Sequence, residues 1–366
     1  MDTPKTCPFH RVPPLSLKPD LQDAARRWDA FYAGELIDRP VVCVTAPRNG
    51  ACNAVPPLLT YRDKAFGNVD TVLLSALAGA EATYHGGEAV PAFFPSLAAD
   101  EIAAYIGAEI RWSPDSPDTN WSVPFVRNWE QALPLRVQED NPLWQRVLQL
   151  YVRGSELLEG KMLLAPLDFH SNMDLLAAVR GPEQLCMDLV EQPQAVEEAM
   201  KSARAVFPVL WQKITRAGKM SERGYWQYMF SMDGAALLCC DFIAMISPSM
   251  FKRFVLPALE EEAAMVKNVF FHWDGPAALV HEPHILSSKA FYLLEFVPGA
   301  GSGGYMAYLE HLKRWQAAGK AVWVEGTPEE IKALHGELLP QRVVYSTRAA
   351  SEKDADELLR WFVRHT

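Results

Sequence analysis

From residue 161 onward, apolar runs of strand length alternate with stretches of helical periodicity. Residues 161–168 read as strand, and a helical pattern follows to about Arg216. A strand ending near Asp241, a helix over 247–267 and a strand through 269–272 come next. Residues 291–297, 321–325 and 343–346 repeat the strand signature, separated by helical stretches over 308–318 and 327–338, with a terminal helix from Glu352. Such repeated units with short connections predict an α/β fold with a parallel sheet. Their number predicts closure into a single (β/α)8 TIM barrel spanning 1–366, with an open doubly wound sheet as the alternative.

The first part of the chain is patterned differently. Residues 21–36 have helical spacing, with Ala24, Trp28, Phe31 and Tyr32 on one face, within a helical segment over 1–38. The β-branched run 39–45 predicts the first strand. Residues 84–130 are rich in Pro, Gly and Trp, which predicts a loop-rich elaboration over the barrel mouth. Two helix starts are chemically marked: Ser247-Pro248 and Thr327-Pro328 each place a hydroxyl at the N-cap and proline at N1, and Glu330 completes a capping box with Thr327.

Composition narrows the function. The chain of 366 residues is 49% hydrophobic and carries a net charge of -10 without a basic block, which argues against nucleic acid as a partner. The absence of a long apolar run and of a basic-then-apolar start predicts a cytoplasmic protein with no membrane partner. Cys7, Cys43, Cys52, Cys186, Cys239 and Cys240 form no C-x-x-C pair and are expected to be reduced thiols. The oligomeric state is open, a homodimer included.

In a barrel, catalytic groups sit where strands end, so polar residues just after apolar runs take priority. That rule selects Asp168, His170, Asp241, His272, Asp274, Glu295 and Glu325. His272 and Asp274 leave one strand two residues apart and point the same way; they could hold a metal or pair for proton transfer. The same spacing fits Asp274 as a helix cap and His272 in a structural hydrogen bond. Asp168 and His170 repeat the spacing, with Asp168 bound by backbone amides as the alternative. Glu295 and Glu325 close apolar strands and need a cationic, metal or substrate partner if buried. Adjacent Cys239 and Cys240 point oppositely, so one at most faces the site. Glu88 follows a Gly-Gly turn, and Tyr84, Trp121, Trp129, Trp226 and Trp273 suit a pocket wall or plain packing.

These strand ends carry a resemblance. The stretches 174–189 and 241–257, Phe271-His272-Trp273-Asp274-Gly275-Pro276 and Val297-Pro298-Gly299 resemble the uroporphyrinogen decarboxylase superfamily, which includes corrinoid and coenzyme M methyltransferases. The resemblance covers most of the chain and implies a (β/α)8 barrel. The decarboxylase branch has an N-terminal arginine motif that is missing here, and Glu88 stands in the position of its catalytic carboxylate. The methyltransferase branch holds zinc with His-x-Cys and a later Cys; here His272 matches, Asp274 replaces one Cys, and Ser346-Thr347 stand where the other would be.

The leading expectation is metal-assisted methyl transfer from a small methylated substrate to a corrinoid protein or a thiol. Zinc would be held by His272, Asp274 and Glu295. Glu88, Asp168, His170 and Asp274 are the expected catalytic residues, and Tyr84, Trp121, Trp226, Asp241, Trp273 and Glu325 the expected substrate contacts. The alternatives are metal-free decarboxylation of a porphyrinogen-like or small aromatic acid, and a non-catalytic barrel that binds a tetrapyrrole or corrinoid.

Overall fold

The computed structural model describes residues 9–50, 58–113, 115–299 and 301–366. Its centre is a seven-stranded sheet in the order Thr83–Gly87, Val41–Pro47, Val343–Arg348, Ala321–Glu325, Leu293–Val297, Asn268–Asp274, Ala235–Cys239. All pairings are parallel except that of Thr83–Gly87 with Val41–Pro47. Beyond the Ala235–Cys239 edge, Phe169 bridges in parallel to Leu238, and Leu163–Leu164 pairs in parallel with Ala92–Phe93. A (β/α)8 barrel is consistent with this order.

The sheet forms because its strands are apolar on both faces, the requirement of a parallel sheet covered on both sides. Period-two alternation then sorts individual side chains. Phe270 faces Tyr228 and Trp323, at ring distances of 5.2 and 5.5 Å, while its neighbours Phe271 and Trp273 turn the other way. Trp273 stacks on Trp315 of the helix Leu309–Ala317 at 5.0 Å and donates its indole N–H to the Ala278 carbonyl. The expected pocket-wall role of Trp273 is therefore corrected: strand alternation commits it to the sheet–helix interface.

Helix ends follow the marked chemistry. Thr327 accepts the Glu330 amide and Glu330 reciprocates, opening Pro328–His335; Ser247 accepts the Met250 amide. Between Pro248–Met250 and Leu256–Val266 the helix widens into a π turn over Phe251–Val255. Pro257 explains it, since proline offers no N–H to the carbonyl four residues back. Leu21–Tyr32 stops short of Leu36, and Trp28 and Phe31 bury its apolar face.

The stretch expected to be loop-rich holds more regular structure than its composition suggests. It contains the strand Thr83–Gly87, the helix Glu101–Tyr105 and the antiparallel pair Glu109–Ser113 and Ser116–Val123. Among the described residues, no helix is long and apolar enough to cross a membrane.

Candidate functional site

Parallel pairing puts His272 in register with Cys239 on one side and Glu295 on the other. In-register neighbours share a face, so the three side chains form one row across the strand ends. The row is coupled: His272 Nδ1 lies 2.5 Å from Glu295 Oε2.

A second group meets this row from the chain that follows Leu163–Leu164. His170 Nε2 is 3.5 Å from Asp168 Oδ2, and its Nδ1 is 3.3 Å from Asp174 Oδ2 and 3.9 Å from Asp241 Oδ2. Asp174 lies in the first turn of the helix Asn172–Arg180, where the helix dipole favours a carboxylate. It accepts the backbone N–H groups of Asp241 and Phe242 at 2.9 Å each and the Cys240 thiol at 3.4 Å. This buried carboxylate ties the helix start to the chain leaving Ala235–Cys239. Ligand atoms of His170, Asp174, Cys239 and Asp241 all lie within 4.8 Å of one another.

The charges are interdependent. Burial opposes the imidazolium form of His170, but Cys239, Asp168 and Asp174 outweigh it and hold its pKa well above the usual range. At His272, burial is likewise outweighed, here by the hydrogen bond and charge of Glu295, and the pKa is raised. Asp168 and Asp174 are held low against burial, chiefly by His170. Asp241 is pushed up to about 6 by burial and the Asp174 charge. Glu325 is raised by burial and by Glu295. The site thus gathers more carboxylate than imidazole can neutralise, and a cation would relieve it.

The residues fit a zinc ion. Asp174 already uses both oxygens on backbone N–H groups, which makes it an orienting group. His170, Cys239 and Asp241 then supply N, S and O donors, a trio that leaves a tetrahedral ion one open position. Asp168 Oδ1 is buried and has no hydrogen-bond partner among the described residues, leaving an acceptor beside the cluster. A cavity of about 400 Å³ opens onto the group and is lined by Trp121, His170, Asp174, Asp241, Phe242 and Met245.

Of the expected residues, Asp168, His170 and Asp241 are gathered here, and His272 and Glu295 form the adjacent pair. Trp121, 43% exposed, walls the cavity. Asp274 is exposed at its strand end, close enough to Asp241 for its charge to raise that carboxyl. Glu325 lies on the neighbouring strand, where the charge of Glu295 helps raise its carboxyl.

Four others are placed elsewhere. Glu88 is fully buried, its oxygens 2.5 and 2.9 Å from the Arg39 guanidinium and 2.9 Å from the Val42 amide. Its carboxylate is consumed by structure. Trp226 is buried edge-on against Trp28 at 6.2 Å, and the Tyr84 hydroxyl donates to Asp356 of the helix Glu352–His365 at 2.7 Å. Trp129, also buried, donates its indole N–H to Asp188 at 2.8 Å.

Two members of the cluster were not singled out from the sequence as site residues. Cys239-x-Asp241 repeats the spacing of His272-x-Asp274 and carried that signal. Asp174 stands four residues after His170, one helical turn on, and its role depends on contacts with residues 240–242. Both cysteines approach Asp174: Cys239 Sγ lies in the cluster, and Cys240, the last extended residue before the 3-10 turn Asp241–Met245, puts its Sγ 3.4 Å from Asp174 Oδ1.

No protein-family model matches the sequence, and no curated protein sequence matches it. Among solved structures, the chain is similar to a methyltransferase from Methanosarcina mazei, with a TM-score of 0.61 and 15% sequence identity, covering 96% of this chain and 99% of that one. The likeness is one of fold, carried over nearly the whole length of both chains.

Proposed function

We propose that this chain is a methyltransferase whose sheet closes as a (β/α)8 barrel, and that its active centre is the cluster His170, Cys239 and Asp241 with the pair His272–Glu295. The observation that carries this reading is the convergence of N, S and O donors from two successive strand ends within 4.8 Å. The fold likeness to a methyltransferase supports the reaction class.

Zinc bound by His170, Cys239 and Asp241 supplies Lewis-acid polarisation of a thiol or of the methylated substrate. Asp174 fixes the Asp241 backbone and the His170 ring. Asp168 accepts an O–H or N–H of the substrate through its unpartnered oxygen. Trp121 gives the methyl group an apolar wall. His272, held by Glu295, donates a proton to the departing oxygen or nitrogen as its bond to methyl breaks and methyl passes to a thiol or a corrinoid. This assignment moves the metal from the set His272, Asp274 and Glu295 to the neighbouring strand ends.

The test is zinc content after dialysis, cobalt(II) substitution, and methyl transfer from a panel of methyl ethers and methylamines to cob(I)alamin or a thiol. Expected are one bound ion, a thiolate-to-cobalt band that disappears in Cys239→Ser, and loss of turnover in His170→Ala. Absence of any retained divalent ion, with turnover intact in both variants, refutes the reading.

A further inference from the structure

Outside this cluster lies a cavity of about 370 Å³ whose wall carries two cations, Lys64 and Arg348, and no carboxylate, in a chain of net charge -10. Lys64, His85 and Arg348 line it, with Ala76, Phe93 and Met162 among its apolar walls. Sheet register places two of the three: Thr45 pairs with His85 on one side and Arg348 on the other. Those side chains share a face, with their backbones about 10 Å apart across two strand spacings.

Each basic group has unused capacity. Arg348 is exposed and has no hydrogen-bond or ion-pair partner among the described residues. His85 is held neutral, its pKa pushed down to about 4 by burial, and its Nε2 is buried without a partner, so it offers a hydrogen bond and not a charge. Lys64, only 7% exposed, reaches in from the helix Tyr61–Phe66 and gives one hydrogen bond, to the Phe94 carbonyl at 3.1 Å. Its ammonium also lies over the Tyr61 ring, 4.4 Å from the centroid, which leaves an N–H for a ligand. Burying a lysine is costly unless something compensates it, and the nearest charges, Glu101 and Asp168, do not form an ion pair with it.

We propose that this cavity binds the carboxylate of a small organic acid, with its apolar body against Phe93 and Met162. Arg348 presents the planar fork that matches two carboxylate oxygens, and Lys64 the point charge that neutralises them. The chemistry excludes a cationic ligand, and the apolar wall favours an acid with a hydrocarbon body over an inorganic anion. The inference does not depend on methyl transfer.

Calorimetric titration with benzoate, with benzamide as the uncharged control of the same shape, tests it on the intact chain. Benzoate is expected to bind at least tenfold more tightly than benzamide, and Arg348→Gln and Lys64→Met each to weaken it about tenfold. Arg348 is unpartnered, so its variant keeps the wild-type melting temperature and remains informative if Lys64→Met folds poorly. His170→Ala is expected to leave benzoate affinity unchanged, which separates this cavity from the metal cluster. Equal affinity for the two probes, benzoate affinity unaltered in Arg348→Gln, or its loss in His170→Ala overturns the proposal.

Discussion

Removing the Glu88 carboxylate is expected to cost stability, not chemistry. Glu88 is fully buried and Arg39 only 6% exposed, so Glu88→Ala strands a guanidinium charge and the Val42 amide away from water. Breaking a buried pair by deleting one partner costs about 3–5 kcal/mol, a range that already includes an orphaned donor of about 1–3 kcal/mol. With a urea m-value of about 3 kcal/mol/M, the unfolding midpoint falls by about 1–1.7 M at unchanged m. Glu88→Leu combined with Arg39→Met recovers part of the loss, because it removes the charges of this pair but leaves the Val42 amide unpartnered and Arg27 without its 3.5 Å contact to Glu88. Zinc content of the folded fraction stays at the wild-type level. A loss below about 1 kcal/mol, accompanied by loss of metal or turnover, would refute the structural role and return Glu88 to the active centre.

Three further outcomes are expected. Asp174→Asn keeps the shape but turns an amide NH₂ toward backbone donors; stability drops by about 1–3 kcal/mol and zinc retention falls, whereas unchanged melting and unchanged metal content contradict the orienting role. Glu101 is pushed up to about 7 by burial, against hydrogen bonds from Ser96, Tyr105 and Leu97. Between the unfolded value of about 4.5 and 7, the folded chain keeps a proton that the unfolded chain has lost, so stability falls as pH rises through that window, by on the order of 3 kcal/mol from this group. Glu101→Gln flattens that part of the slope in urea midpoints measured at pH 5 and 7.5, and parallel slopes for the two proteins contradict it. Thr327→Ala removes the capping box and costs about 1 kcal/mol by thermal melting, with no change in metal content; no measurable destabilisation contradicts the cap assignment.

What the sequence revealed follows the range of the interactions concerned. Strand–helix alternation after residue 161 and the caps at Ser247 and Thr327 are local, and they were legible. The coupling of His272 to Glu295 follows from consecutive parallel strands, so the two could be associated before the pairing was known. The structural role of Glu88 is not legible in the sequence because its partner Arg39 lies 49 residues away, and a buried ion pair has no local signature. Trp273 shows the converse: period-two alternation from His272 already turns it away from the site, a signal that is present in the sequence. Asp174 needed the tertiary fold, since only its contacts with residues 240–242 distinguish it from any acidic residue in a first helical turn.

The row Cys239, His272 and Glu295 is spaced by hydrogen bonds between backbones, at the roughly 4.8 Å interval that any parallel sheet enforces. Its geometry is therefore insulated from the loops that follow each strand. The loops after Gly275 and Val297 can lengthen, shorten or change composition, and so exchange one substrate for another, without disturbing the spacing of this row. A scaffold of this kind separates the evolution of specificity from the preservation of this row, and it marks the segments after Gly275 and Val297, but not the turn after Cys240 that carries Asp241, as the places where engineered substrate range would be sought first.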